Sequence, residues 1–92
     1  MSFSAEAYIF YPGGFGTLDE FFEIVTLVQT RKIRKVPIVL VGVDFWKPLQ
    51  DFIEKQCLER HAAVTKKDLD LYVITDNHDD IVDIVTKAPV RD

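Results

Sequence analysis

Pro37-Ile38-Val39-Leu40-Val41-Gly42-Val43 is an uncharged run rich in β-branched residues. A strand with one wet face alternates polar and apolar residues, whereas one that is apolar throughout is buried on both faces, as in parallel sheets covered by helices. Two shorter runs read the same way, Glu6–Tyr11 before it and Leu71–Thr75 after it. Between them the apolar period changes from strand-like to helical. A helix is expected from about Thr17 to Arg31, carrying Leu18, Phe21, Phe22, Ile24, Val25, Leu27 and Val28. Leu49, Phe52, Ile53, Gln56 and Cys57 set a second helix, up to about His61. Ile81, Val82, Ile84 and Val85 set a third, and Ala62–Asp70 reads as a connector with one short helical turn. Asp44 and Asp76 stand where N-caps of the later two helices belong, and Pro48 suits a first helical turn. Strand, loop and helix in three repeats predict an α/β fold, a doubly wound parallel sheet of three β-α units.

Ligands of such sheets bind beyond the carboxyl ends of the strands. At that edge, directly after the first strand, lies Pro12-Gly13-Gly14-Phe15-Gly16-Thr17-Leu18-Asp19-Glu20. Glycines allow positive φ and close backbone approach to a ligand. Unpaired N–H groups at the following helix start, aided by its dipole, attract an anion. The spacing fits neither the dinucleotide fingerprint nor the lysine-bearing P-loop. It reads as a different phosphate loop with a carboxylate, Glu20, near the helix start. A second reading stands beside it: Thr17 and Glu20, three apart before an apolar run, form a capping-box pattern, which would make Glu20 structural.

Composition narrows the function. The 92 residues suffice for one small domain, taken as 1–92 with its phosphate loop at 12–17. A net charge of −4 argues against broad nucleic-acid binding. No apolar stretch is long enough to span a bilayer, and no basic-then-apolar start suggests a secretory signal. The single cysteine, Cys57, fits a reducing, cytoplasmic setting and reads as a packing residue. His61 and His78 lack metal-ligand spacing and read as surface residues, so no metal is expected. Trp46 reads chiefly as core or loop packing. Arg31, Lys32, Arg34 and Lys35 follow the first helix and suit its negative C-terminal end.

Two features point beyond a lone chain. The first strand is too apolar for a naked edge, which suggests half of a larger domain or pairing with another chain. The apolar residues of the 17–31 helix exceed one stripe. A second cover is expected, in a homodimer or larger homo-oligomer built through that helix.

The run Pro12–Glu20 resembles the PGGxGTxxE motif of the Lonely Guy family of phosphoribohydrolases, long described as lysine decarboxylases. Glu23 and Thr26, Lys35-Val36-Pro37-Ile38, Phe45-Trp46-Lys47-Pro48-Leu49 and Thr75-Asp76 extend the likeness. The resemblance implies a Rossmann-like fold, usually homodimeric, without a cofactor. It also implies cleavage of the N-glycosidic bond of a nucleoside 5′-monophosphate, typically an N6-modified AMP, to free base and ribose 5-phosphate. Carried over, Gly13, Gly14, Gly16 and Thr17 would hold the 5′-phosphate and Glu20 would be the catalytic carboxylate. The family's upstream glycine-rich turn and Arg-Lys motif have no counterpart, so the match is to its C-terminal half and no arginine partner of Glu20 is assigned. The chain itself is therefore expected to be a poor catalyst. Alternatives are a non-catalytic nucleotide or molybdenum-cofactor carrier, or an inactive assembly-forming fragment.

Overall fold

A computed structural model of the chain describes residues 7–87. In these the elements run β1 (Tyr8–Phe10), α1 (Phe15–Gln29), β2 (Ile38–Val41), α2 (Val43–Phe52), β3 (Val73–Thr75) and α3 (His78–Thr86). The strands form one parallel sheet in the order β1-β2-β3, with Tyr8 opposite Ile38 and Val39 opposite Val73. This is the expected Rossmann-like α/β arrangement. Glu6, placed in the first strand on sequence grounds, lies outside the described residues.

The central strand is the uncharged run. Ile38, Val39 and Leu40 are each at most 1% exposed, and since successive side chains point to opposite faces, both faces of β2 are covered. Ile38 and Leu40 join Phe21, Val28, Val36 and Trp46 in the main core. Phe21 of α1 is its hub, with ring centroids 6.0 Å from Phe10, 5.4 Å from Trp46 and 5.3 Å from Tyr72 in edge-on contacts. Such edge-to-face pairs add about 0.5–1.5 kcal/mol each beyond area burial. Trp46 is fully buried, and its indole N–H donates to the Val41 carbonyl at 3.0 Å, so this ring packs the core.

Several local expectations change. The helix after β2 begins at Gly42 as N-cap, with Asp44 inside its first turn, where a carboxylate favours the dipole without capping. Pro48 lies within that helix rather than in its first turn. Beyond Phe52 the helix continues to Arg60, near the expected end, but in the wider π pitch, as the His61 N–H to Gln56 carbonyl bond shows. Periodicity of apolar residues does not distinguish these two pitches over eight residues.

The cap of α3 is Asn77, whose Oδ1 accepts the Asp80 N–H at 3.2 Å. Asp76 instead accepts the Val43 N–H at 3.1 Å, satisfying an unpaired donor at the start of α2 from the end of β3. The connector holds one short 3₁₀ turn at Asp68–Leu71. At its start Thr65 and Asp68 bond each other reciprocally: the Thr65 N–H donates to Asp68 Oδ2 at 2.9 Å, and the Asp68 N–H to Thr65 Oγ1 at 3.3 Å. Across the core, the Tyr72 hydroxyl donates to Gln50 Oε1, and Gln50 Nε2 donates to Glu54 Oε1 at 2.9 Å. Burial, and secondarily the Glu54 charge, push the Tyr72 hydroxyl up to about 12.

Candidate functional site at the sheet edge

The glycine loop sits where topology requires, between the carboxyl end of β1 and the start of α1. Gly14 is the N-cap of α1, with φ −105° and ψ −151°. No side chain caps this end, and the first intrahelical bond runs from the Leu18 N–H to the Gly14 carbonyl at 3.1 Å. The N–H groups of Phe15, Gly16 and Thr17 therefore have no partner within the helix. Pro12 through Gly16 are exposed, so these donors face an accessible surface.

The glycines act differently from the expectation of positive φ. Gly13, Gly14 and Gly16 all avoid the left-handed region. What Gly13 supplies is room: a Cβ there would stand 2.3 Å from Thr17 Oγ1, so the Thr17 side chain folds against the loop only because residue 13 has none. A Cβ on Gly14 or Gly16 would meet nothing within 4 Å. Their bareness leaves the backbone open to whatever approaches.

The capping-box reading fails on the same geometry. Thr17 is the third residue of α1 and not its cap, because the N-cap is Gly14, three residues before the one that the capping-box pattern requires. Glu20 is exposed and makes no hydrogen bond or ion pair among the described residues. It follows Gly16 by four positions and so shares its helix face, and helical side chains lean toward the N-terminus. Glu20 thus has no cap duty among the described residues and lies one turn from the glycine loop.

Gly42 shapes this edge in a way that the sequence reading missed. It has φ +109°, and a Cβ on it would press to 2.9 Å from Pro12 Cγ. Pro12, the first loop residue, thus packs on the bare backbone that ends β2. The Asp76–Val43 bond joins the third strand end to the same edge. The available signal was a glycine closing an otherwise β-branched strand. The basic residues Arg31 to Lys35 lie at the other end of α1 from the loop, and His61 and His78 are exposed. Among the described residues no three His, Cys, Asp or Glu side chains gather as metal ligands. None of the described helices is long and apolar enough to cross a membrane.

The model of a family described as possible lysine decarboxylase matches residues 1–85. The chain belongs to this family, that of the Lonely Guy proteins. The cytokinin riboside 5′-monophosphate phosphoribohydrolase LOG of Oryza sativa subsp. japonica is 44% identical over 60 residues, covering 64% of this chain and 24% of its own. A protein of the same activity name from Arabidopsis thaliana is 34% identical over 70 residues, 75% of this chain and 32% of its own. One from Rhodococcoides fascians is 37% identical over 59 residues, 64% of this chain and 27% of its own. The chain thus matches about a quarter to a third of the length of these relatives.

Proposed function

We propose that this chain is a domain, or half-domain, that carries the phosphate loop and catalytic carboxylate of a nucleoside 5′-monophosphate phosphoribohydrolase. The observation that carries the reading is an uncapped, exposed helix start in a PGGxGTxxE segment, with Glu20 free of structural bonds among the described residues and one turn beyond Gly16. In this reading the N–H groups of Gly13–Thr17 hold the 5′-phosphate, helped by the positive end of α1. The ribose then lies along the first turns of the helix, toward Glu20. As the bond from C1′ to the base nitrogen breaks, its electron pair leaves with the base, which takes up a proton, and positive charge grows on the sugar. The Glu20 carboxylate stabilises that charge and orients the water whose oxygen bonds to C1′. The products are free base and ribose 5-phosphate.

The proposed setting is cytoplasmic, in keeping with the lone Cys57. The proposed assembly is a homodimer or larger homo-oligomer through α1, whose Phe22 is 41% exposed and whose Phe15 is 92% exposed. Binding is tested by following backbone amides of the chain during AMP titration, with shifts expected at 13–17. Gly16→Ala adds a methyl where the fold has open space, so stability should hold or rise while AMP binding falls. AMP affinity unchanged in Gly16→Ala would remove the loop from the site. Turnover is tested in a full-length relative bearing this segment in place of its own. Glu20→Ala should abolish release of free base while phosphate binding persists. Unchanged release would leave Glu20 without a catalytic role, as a mere carrier of the ligand would have it.

A further inference from the structure

We propose that the cleft between the C-terminal end of α1 and the Thr65–Leu71 segment binds a compact oligophosphate, a ligand with three or more negative charges on linked phosphates. The cleft measures about 590 Å³ and is lined by five cationic side chains, Arg31, Lys32, Arg34, Lys35 and Lys67. Its single carboxylate, Asp68, is already engaged, since Oδ2 accepts the Gln29 amide at 2.8 Å and the Thr65 N–H at 2.9 Å. The ion pairs among the described residues, Lys47–Asp51 and Lys87–Asp83, lie elsewhere and take up none of these five. Like charges gathered in one concavity repel each other, and the field they focus favours an anion.

A second observation is independent of charge. The end of α1 is a Schellman turn, with the Lys32 N–H on the Leu27 carbonyl at 2.9 Å and the Arg31 N–H on that of Val28 at 3.1 Å. The left-handed position of that turn usually holds glycine. Here it holds Arg31, at φ 61°. A non-glycine residue carries a conformational cost there, one that Ala62 at φ 51° also bears, and it is met where something else holds the residue in place. Arginine at this point adds a planar, multidentate phosphate donor to the cleft.

Charge distribution selects the ligand. Five of the chain's eleven Lys and Arg residues line this cleft, against fifteen Asp and Glu overall. Outside the cleft the chain's remaining six Lys and Arg stand against fourteen Asp and Glu, a balance that disfavours a long nucleic acid but not a compact ligand held within the cleft. One phosphate would leave most of the five cations unmatched. The cleft lies a helix length, roughly 20 Å, from the glycine loop, so the proposal stands apart from the function assigned to that loop.

The test is an amide-shift titration of the chain with inorganic tripolyphosphate, with ATP and single-stranded oligothymidine as parallel arms. Saturable binding of tripolyphosphate is expected, with shifts at 31–35 and 65–68. Arg31→Gly, which suits the turn, and the double variant Lys32→Ala/Lys67→Ala should each weaken it about fivefold. Equal affinity for ATP would assign the site to the phosphates alone, and tighter ATP binding would add a nucleoside to the ligand. The proposal falls if tripolyphosphate does not saturate, if its shifts are confined to 12–17, if either variant binds as the parent does, or if only the oligonucleotide binds.

Discussion

Gly42→Ala tests how the loop is held. The backbone at residue 42 has φ +109° and ψ +79°, which an L side chain rarely adopts. Left-handed backbone costs a non-glycine residue about 1–2 kcal/mol. The new methyl would also stand 2.9 Å from Pro12 Cγ and 3.3 Å from Pro12 Cδ. Overpacking of this kind costs typically 1–3 kcal/mol. The two together predict a loss of about 2–5 kcal/mol, a large share of the roughly 5–15 kcal/mol available to a domain. In a domain of this size that lowers Tm by roughly 8–40 °C. Urea unfolding of four proteins (parent, Gly42→Ala, Pro12→Ala and the double variant) separates the terms. Pro12→Ala removes Cγ and Cδ, so the double variant should recover about 1 kcal/mol or more of the steric share and none of the backbone share. A Gly42→Ala protein within about 0.5 kcal/mol of the parent would refute the strain argument. A full loss with no coupling to Pro12→Ala would refute the contact.

Tyr72 gives a pH signature. Its hydroxyl is held to about 12 in the fold against about 10 when unfolded, so its contribution is complete below about pH 10 and is lost as pH rises toward 12. Tyr72→Phe should flatten stability over that window, and an unchanged alkaline slope in urea unfolding would place the cause elsewhere. For the assembly, Phe22→Glu should turn an oligomer into a monomer by light scattering at micromolar concentration while leaving the far-UV circular dichroism intact. A monomeric parent chain would end the idea that α1 is a seam.

The architecture was legible because burial writes itself into composition. An uncharged β2 between helical periods leaves few alternatives to a covered parallel strand, and Phe21, Ile38, Leu40 and Trp46 fill the core between them. End effects were less legible because one residue type serves several hydrogen-bond patterns. Asp76 and Asn77 are adjacent and both competent to cap; tertiary structure gives Asn77 to α3 and Asp76 to Val43 across the sheet edge. Thr17–Glu20 and Thr65–Asp68 carry the same spacing of hydroxyl and carboxylate, yet only the second closes reciprocally. The difference is Gly14, which starts α1 early and leaves Thr17 inside it. Likewise, glycine identity alone did not separate Gly42, needed for its φ, from Gly13, needed for space beside Thr17.

The edge that holds the loop is rigid, but its carboxylate is wet. Pro12 on Gly42, Asp76 on Val43 and Trp46 on Val41 tie the ends of the strands into one unit, so the free N–H groups of α1 are positioned before any anion arrives. Preorganised donors need no ordering at the moment of binding. Glu20, by contrast, is exposed. At 4 Å from a developing positive charge a carboxylate contributes about 1 kcal/mol in water and about 4 kcal/mol at the effective dielectric of a protein surface pair. Strong stabilisation of a sugar cation therefore requires a cover that excludes water from the Glu20 side of α1. The same helix carries the exposed rings of Phe15 and Phe22. At about 100° per residue, however, Phe15 and Phe22 point about 140° and 160° around α1 from Glu20, so a surface laid over the rings does not dry the carboxylate. Phe22→Glu in a whole-length protein should accordingly disrupt assembly while leaving kcat for base release unchanged. A kcat that falls with dissociation would show that the partner subunit also supplies the cover over Glu20.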